Sequence, residues 1–80
     1  MSNAVLNEDR VLDCSGMLCP MPVILAKKAI DELASGQVLQ ILATDPGAAA
    51  DIPAWARRTG HKLRQAAQEG NVLTFLVEKD

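Results

Sequence analysis

Aromatic residues are scarce in this sequence of 80 residues, which contains one Trp, one Phe and no Tyr. Basic charge is not in excess either, because eight Lys and Arg stand against ten Asp and Glu and the formal net charge is -2. Proteins that bind nucleic acids usually combine a basic stripe with aromatic rings on which bases stack. The composition therefore predicts no direct contact with nucleic acid.

Long apolar runs are absent, and none of the runs present is long enough to span a bilayer. Residues 1–10 lack the basic start and apolar core of a signal peptide. We therefore expect a cytoplasmic protein that does not associate with membranes. In that compartment the only two cysteines, Cys14 and Cys19, are expected to be reduced and chemically active rather than a structural disulfide.

The chain is short but has the composition of a folded domain, with 49% hydrophobic and 22% charged residues. A chain of this length builds one thin core, which leaves little room for a deep pocket. Small size thus favours a carrier, an adaptor or a binding module. We expect a flexible N-terminus over residues 1–8 and one domain over residues 9–80, acting as a monomer.

The first half of the chain predicts a strand, a helix and a second strand. A short apolar run ends at Asp13, and Gly16 then allows a tight turn. A helical pattern begins at Pro20, which suits the first helical position, and stops before Gly36. Its buried stripe is expected to consist of Val23, Ala26, Ile30 and Leu33. Residues 37–43 are mostly apolar and branched and lie between residues that break structure, which predicts a buried strand.

The second half predicts a helix and a hairpin. Asp45 can cap the helix, Pro53 should kink or restart it with Asp51 as a second cap, and Gly60 should end it. Residues 61–68 and 71–78 are predicted strands joined by a tight turn at Glu69-Gly70. The order is βαβαββ. We predict an α+β two-layer sandwich, with two helices on one face of a four-stranded mixed sheet.

The segment Cys19-Pro20-Met21-Pro22 is the feature that points to chemistry. One proline would suffice to start a helix, so the pair, Pro20 and Pro22, is expected to stiffen the turn and fix the direction of Cys19. Cys19 lies at or next to the helix N-cap, where unpaired N–H groups and the helix dipole favour a thiolate. Thiolates in such positions are reactive nucleophiles that attack sulfur.

Less specific interpretations of the same residues remain open. Cys19 could be a small apolar residue under the helix, and Cys14 a buried residue at the end of the strand. A reversible Cys14–Cys19 disulfide would instead make the protein a redox switch or let it resolve its own persulfide. Met17 and Met21 with the two cysteines form a soft-donor set for Cu(I), but the usual C-x-x-C spacing is absent.

No other catalytic or metal-binding pattern is visible. His61 is far from Cys19 in sequence and is expected to be a surface or edge residue. Four good zinc ligands, a paired-carboxylate site and a phosphate-binding loop are all lacking. The sequence therefore predicts neither a metal nor a cofactor.

The pattern also resembles a known family. Leu12-Asp13, Gly16 and the segment 19–22 are similar to the L-D-x-x-G-x-x-C-P-x-P pattern of the TusA/SirA sulfur carriers. The similarity continues through Lys28, Gly36, Asp45-Pro46 and residues 51–53, and covers about residues 10–78. The family fold is the βαβαββ sandwich.

The resemblance implies that Cys19 accepts sulfane sulfur as a persulfide and passes it to a partner protein. Donors would be cysteine desulfurases or rhodanese-type proteins, and acceptors would be further carriers. The pathways served are tRNA thiolation, cofactor biosynthesis and sulfur oxidation. Gly16, Pro20 and Pro22 would shape the loop of the thiol, and Asp13 would order the strand end beside it.

Two positions beside the thiol are apolar here. Family members dedicated to tRNA thiolation often carry Arg and Glu where this chain has Leu18 and Met21. We expect Leu18 and Met21 to form an exposed rim that docks against partners, with Lys27 and Lys28 as further docking candidates. The alternative function is a non-catalytic, thiol-based redox or regulatory module on the same fold.

Overall fold

A computed structural model describes residues 8–18 and 20–80. The predicted flexible segment 1–8 lies outside these residues except for Glu8. Four strands and two helices follow one another in the predicted order βαβαββ. Their bounds are β1 Arg10–Cys14, α1 Met21–Asp31, β2 Val38–Ala43, α2 Ala48–Thr59, β3 Lys62–Glu69 and β4 Val72–Glu78.

The strands form one mixed sheet in the order β1-β2-β4-β3. β1 pairs parallel with β2, whereas β4 pairs antiparallel with both β2 and β3. Since β1 and β2 run in the same direction, their carboxyl ends lie at one edge of the sheet, and α1 and α2 both begin beyond that edge. The predicted two-layer fold is confirmed.

The core lies between the sheet and the two helices. Alternate residues of β2 and β4 face the helices, and the register pairs Leu39 with Val77 and Ile41 with Phe75. Such alternation is typical of a sheet with one buried face. The predicted stripe of α1 is found, because Ala26 and Ile30 are buried and Val23 and Leu33 pack against the core.

Helix α1 is shorter than its sequence pattern predicts, since it ends at Asp31 rather than near Gly36. The N–H groups of Glu32 and Leu33 bond to the carbonyls three residues back, which tightens the last turn. Lys79 Nζ then donates to the carbonyl of Leu33 at 2.5 Å. A cation at this place stabilises the negative end of the helix, and it comes from the far end of the chain.

The expectation of a restart at Pro53 is wrong, because α2 is one helix with Pro53 inside it. Asp51 lies within this helix rather than at a second cap. A proline removes one internal hydrogen bond, and burial of Ile52, Trp55 and Ala56 in the core holds the helix together around it.

The hairpin turn is one residue later than predicted. Glu69 pairs with Val72, so the turn consists of Gly70 and Asn71. Gly70 has a φ of 63°, which glycine adopts without strain and which suits the first position of a two-residue hairpin turn. The same register places the turn at the edge of the sheet where β1 and β2 end.

Candidate functional site

The predicted site lies at the edge of the sheet where β1 ends and α1 begins. Cys14 is the last residue of β1, and six residues separate it from Met21, the first residue of α1. Cys19 itself lies outside the described residues. Its neighbours Leu18 and Pro20 are described and are both exposed.

Both prolines of the motif lie at the start of α1. Pro20 is the N-cap residue rather than the first helical residue as predicted, and Pro22 is the second residue of the helix. The N–H of Met21 donates to the carbonyl of Leu18 at 3.0 Å. In sequence, Cys19 therefore directly precedes the N-cap of a helix of 11 residues.

The loop that leads to Cys19 is tied to both parallel strands. The carboxylate of Asp13 accepts a hydrogen bond from the Ser15 N–H at 2.9 Å, and hydrogen bonding from Ser15 holds the pKa of Asp13 below its usual value. Gly16 follows with a φ of 79° and donates its N–H to Oγ1 of Thr44 at 2.8 Å. Asp13 and Gly16 thus lie where the sequence predicts residues that shape the loop.

Thr44 makes a contact with the loop that the sequence did not predict. It directly follows β2, and the carboxyl ends of neighbouring parallel strands lie side by side. A parallel pairing of β1 with β2, once predicted, would therefore have indicated that Thr44 lies beside the loop that follows β1. The hydroxyl of Thr44 connects the loop before Cys19 to the central part of the sheet.

Cys14 is fully buried in the core and carries a free thiol. Burial raises the pKa of this thiol, and the negative charge of Asp13 raises it further. Both effects favour the neutral thiol, which is a poor nucleophile. These surroundings are those of a structural core residue.

Exposed apolar side chains surround the start of α1. Leu18 is 73% exposed, Met21 44% and Ile24 53%. Met21 and Ile24 lie about one turn apart on α1, and Ile24 falls outside the buried stripe that the sequence predicts. Ile24 therefore extends the predicted rim of Leu18 and Met21. The sequence could have indicated this exposure, because Ile24 is an apolar residue that falls outside the predicted buried stripe of the helix.

The two predicted docking lysines lie farther along the same helix and are both exposed. Lys27 forms an ion pair with Asp31 at 3.1 Å. The hydrogen bond from Arg10 lowers the pKa of Glu32 most, and the positive charge of Lys28 makes a small contribution in the same direction. The lysines are thus separated from the thiol loop by the apolar surface of the first two turns.

His61 does not belong to this edge of the sheet. It precedes β3, whose start lies at the opposite edge, and its Nδ1 accepts the N–H of Asp80 at 3.1 Å. Within residues 8–18 and 20–80, no group of three or more His, Cys, Asp and Glu side chains could hold a metal ion. Within the same residues, no helix is long and apolar enough to cross a bilayer.

Comparison with known proteins agrees with this geometry. The profile of the family described as Sulfurtransferase TusA matches residues 10–79. The sulfur carrier protein TusA of Allochromatium vinosum is 45% identical over 71 residues, which cover 89% of this chain and 93% of that protein. YrkI of Bacillus subtilis is 46% identical over 74 residues, covering 92% of this chain and 99% of that protein.

A solved structure supports the same assignment. The crystal structure of the SirA-like protein from Desulfitobacterium hafniense superposes with a TM-score of 0.77 and 27% sequence identity. The match covers 86% of this chain and 95% of that one. The fold and the family profile define a class of small sulfur carriers. This chain belongs to the TusA sulfurtransferase family, and its function is that of a sulfur carrier.

Proposed function

We propose that the protein carries sulfane sulfur as a persulfide on Cys19 and relays it from a donor protein to an acceptor protein. The observation that carries the proposal is the anchoring of the loop before Cys19, by Asp13 on one side and Thr44 on the other. Such anchoring reduces the freedom of the loop that ends in the reactive residue. Position 19 directly precedes a helix N-cap, a place where thiolates are stabilised.

The transfer step is thiol–persulfide exchange. The Cys19 thiolate attacks the outer sulfur of the donor persulfide, one S–S bond forms, and the S–S bond within the donor breaks. The donor leaves as a thiolate, so no oxidant or reductant is consumed. An acceptor thiolate then repeats the exchange on the Cys19 persulfide. Cys14 takes no part, because it is buried and its pKa is raised.

Intact mass measured after incubation with inorganic polysulfide tests the proposal. We expect a gain of about one sulfur atom per chain, which a reductant reverses. Cys19→Ser should abolish the gain, whereas the matched variant Cys14→Ser should retain it. Loss of loading in Cys14→Ser alone would contradict the assignment and favour a two-thiol mechanism. No gain in the unmodified protein would favour the redox or regulatory module.

We further propose that Leu18, Met21 and the adjoining Ile24 dock against the cleft of the partner, with Lys27 and Lys28 at the far end of the contact. Exposed apolar side chains beside a reactive residue are typical of small, transient contacts. The donor would be a cysteine desulfurase or a rhodanese-type protein. We place the exchange in the cytoplasm, with residues 9–80 acting as one monomeric domain that does not contact nucleic acid.

A double variant separates docking from chemistry. Leu18→Gln combined with Met21→Gln should slow loading from a purified cysteine desulfurase supplied with cysteine, but not loading from polysulfide. Neutral replacements are used because a carboxylate beside the thiolate would disfavour it and repel anionic polysulfide. Val11→Gln is the control, since Val11 is 52% exposed and lies in β1, outside the rim. Equal slowing with both donors would show that the rim takes part in the chemistry. Equal slowing in the control would show that any polar replacement of an exposed apolar side chain suffices.

A further inference from the structure

A second apolar feature lies beside the thiol loop but on the other helix. Two adjoining cavities of about 210 and 190 Å³ lie between the first turn of α2 and the β3–β4 hairpin. Both are lined by Ala49, Gln68 and Leu73, and one extends to Ala66 and Phe75. Since α2 and β3 meet here through alanines, a groove remains between them. An enclosed apolar cavity of about 150 Å³ can hold a benzene ring. Both parts of this groove are open to solvent, and each has the volume to receive one large side chain from outside.

The groove opens at the same edge of the sheet as the thiol loop. Thr44 lines the end of the groove nearest the thiol loop, and the hydroxyl of Thr44 accepts a hydrogen bond from the N–H of Gly16. Gly70 and Asn71, the hairpin turn, line that end as well. A partner that reaches Cys19 from this edge therefore also meets the groove.

The charges of the molecule are divided between its two ends. Among the residues that the structure describes, the edge that carries the thiol loop has four carboxylates and no basic side chain. The remainder of the chain has eight basic and six acidic residues, so the net charge of -2 is the sum of -4 and +2. The four carboxylates are those of Asp13, Asp45, Asp51 and Glu69.

Three of these carboxylates adjoin the groove. The Oδ2 atoms of Asp45 and Asp51 would lie 3.3 and 3.8 Å from a β-carbon added to Gly47, which follows the groove residue Pro46. Glu69 lies between Gln68 and Gly70, both of which line the groove. The rim is therefore negatively charged, and it repels the phosphates of a nucleic acid.

We propose that this groove is a second docking surface, which receives an apolar side chain from a Lys- or Arg-bearing loop of the protein that exchanges sulfur with Cys19. The identity of the partner rests on the proposed function, but occupancy of the groove does not. Complementary charge steers the encounter, and one apolar anchor in a pocket supplies much of the binding energy. The apolar rim on α1 then contacts the partner on the other side of the thiol loop.

The direct test is a titration of the 15N-labelled protein with a capped peptide that contains Phe between two lysines. We expect amide shifts at Ala49, Ala66, Gln68 and Leu73 and a millimolar Kd, which weakens as salt screens the charges. Matched peptides with Ala in place of Phe, or with Glu in place of both lysines, should bind about tenfold more weakly or not at all. Shifts elsewhere, or equal binding of all three peptides, would overturn the proposal.

Two pairs of variants locate the effect in the groove. Ala49→Leu fills the groove, whereas Ala50→Leu makes the same change on the exposed neighbouring residue. Glu69→Lys reverses a charge on the rim, whereas Glu8→Lys makes the same reversal at the opposite end. Ala49→Leu and Glu69→Lys should each weaken peptide binding at least about fivefold, and their controls should not. Equal weakening in a control would overturn the proposal.

The same variants connect the groove to sulfur transfer. Ala49→Leu should slow loading of Cys19 from a cysteine desulfurase, while loading from polysulfide and stability remain those of Ala50→Leu. If the peptide binds the groove but Cys19 never accepts sulfur, the proposed function is wrong, whereas the assignment of the groove as a docking surface is supported. If Cys19 loads normally and the peptide does not bind up to several millimolar, the groove proposal fails alone. Binding of a single-stranded oligonucleotide at the groove would also overturn it.

Discussion

Gly16 offers the sharpest perturbation of the thiol loop. Its φ of 79° lies in the left-handed region, and an added β-carbon would meet no atom within 4 Å. Gly16→Ala therefore costs backbone strain alone, without a steric clash. The strain is about 1–2 kcal/mol, and the lower entropy of the unfolded alanine chain offsets part of it, so the net loss is about 1 kcal/mol. A domain of this size should then melt roughly 4–8 °C lower and stay folded at room temperature.

Gly36 provides a matched control for this change. Its φ is 87°, an added β-carbon would again meet nothing within 4 Å, and its N–H also donates a hydrogen bond of 2.8 Å, to the carbonyl of Lys79. Gly36 precedes β2, at the edge of the sheet opposite the thiol loop. Gly36→Ala should therefore cost the same stability, because the backbone strain is the same, and leave the thiol loop unchanged.

The assay combines urea unfolding with the rate of persulfide transfer to an acceptor thiol. Both variants should lose about 1 kcal/mol, but only Gly16→Ala should transfer sulfur more slowly, since strain at Gly16 disturbs its bond to Thr44. Equal transfer rates in the two variants would refute the role of the anchored loop. A much larger stability loss in Gly16→Ala would show that the loop has contacts beyond backbone strain.

Three further predictions concern the rest of the fold. Cys14 should resist iodoacetamide in the folded protein and react once urea unfolds it, because burial hides the thiol and raises its pKa. Fast labelling of Cys14 in the folded protein would contradict this burial. Pro53→Ala should raise the free energy of unfolding by about 1–2 kcal/mol, as a helical bond to Ala49 is restored and part of the gain is lost to unfolded-chain entropy. A decrease would mean that packing of the proline ring matters more. Arg64→Gln should lower stability at neutral pH, and this loss should shrink as pH falls below about 4.3. The hydrogen bond from Arg64 lowers the pKa of Glu78, so the stabilisation exists above the unfolded pKa and is lost as pH falls through the folded pKa. A difference that persists in acid would assign the effect to packing.

The order of the elements followed from the sequence because the signals for it are local. Periodicity separates helix from strand within a single segment, and the position of a proline or a glycine depends mainly on its own backbone angles. The buried stripe of α1 and the fold class were predicted on this basis, and both are confirmed. The motif around Cys19 is also a local pattern, and the family it suggested is the family found.

The tertiary structure decided the features that depend on distant residues. Lys79 caps the end of α1, packing of Ile52 and Trp55 holds α2 together across Pro53, and the register of β3 with β4 moves the turn to Gly70-Asn71. Each of these outcomes depends both on a local backbone preference and on a contact with a distant residue. The local sequence pattern contains the backbone preference but not the distant contact.

The same reason explains what the sequence determined about the site. It pointed to Cys19 and the two prolines as the candidate site, because the pattern that singles them out lies in neighbours along the chain. It did not reveal the bond between Gly16 and Thr44, since these residues are 28 positions apart and meet only when β1 pairs with β2. The groove along α2 and the separation of charge between the two ends likewise exist only once the strands are in register. Pairing of β1 and β4 with β2 brings Asp13 and Glu69 to the edge that carries Asp45 and Asp51.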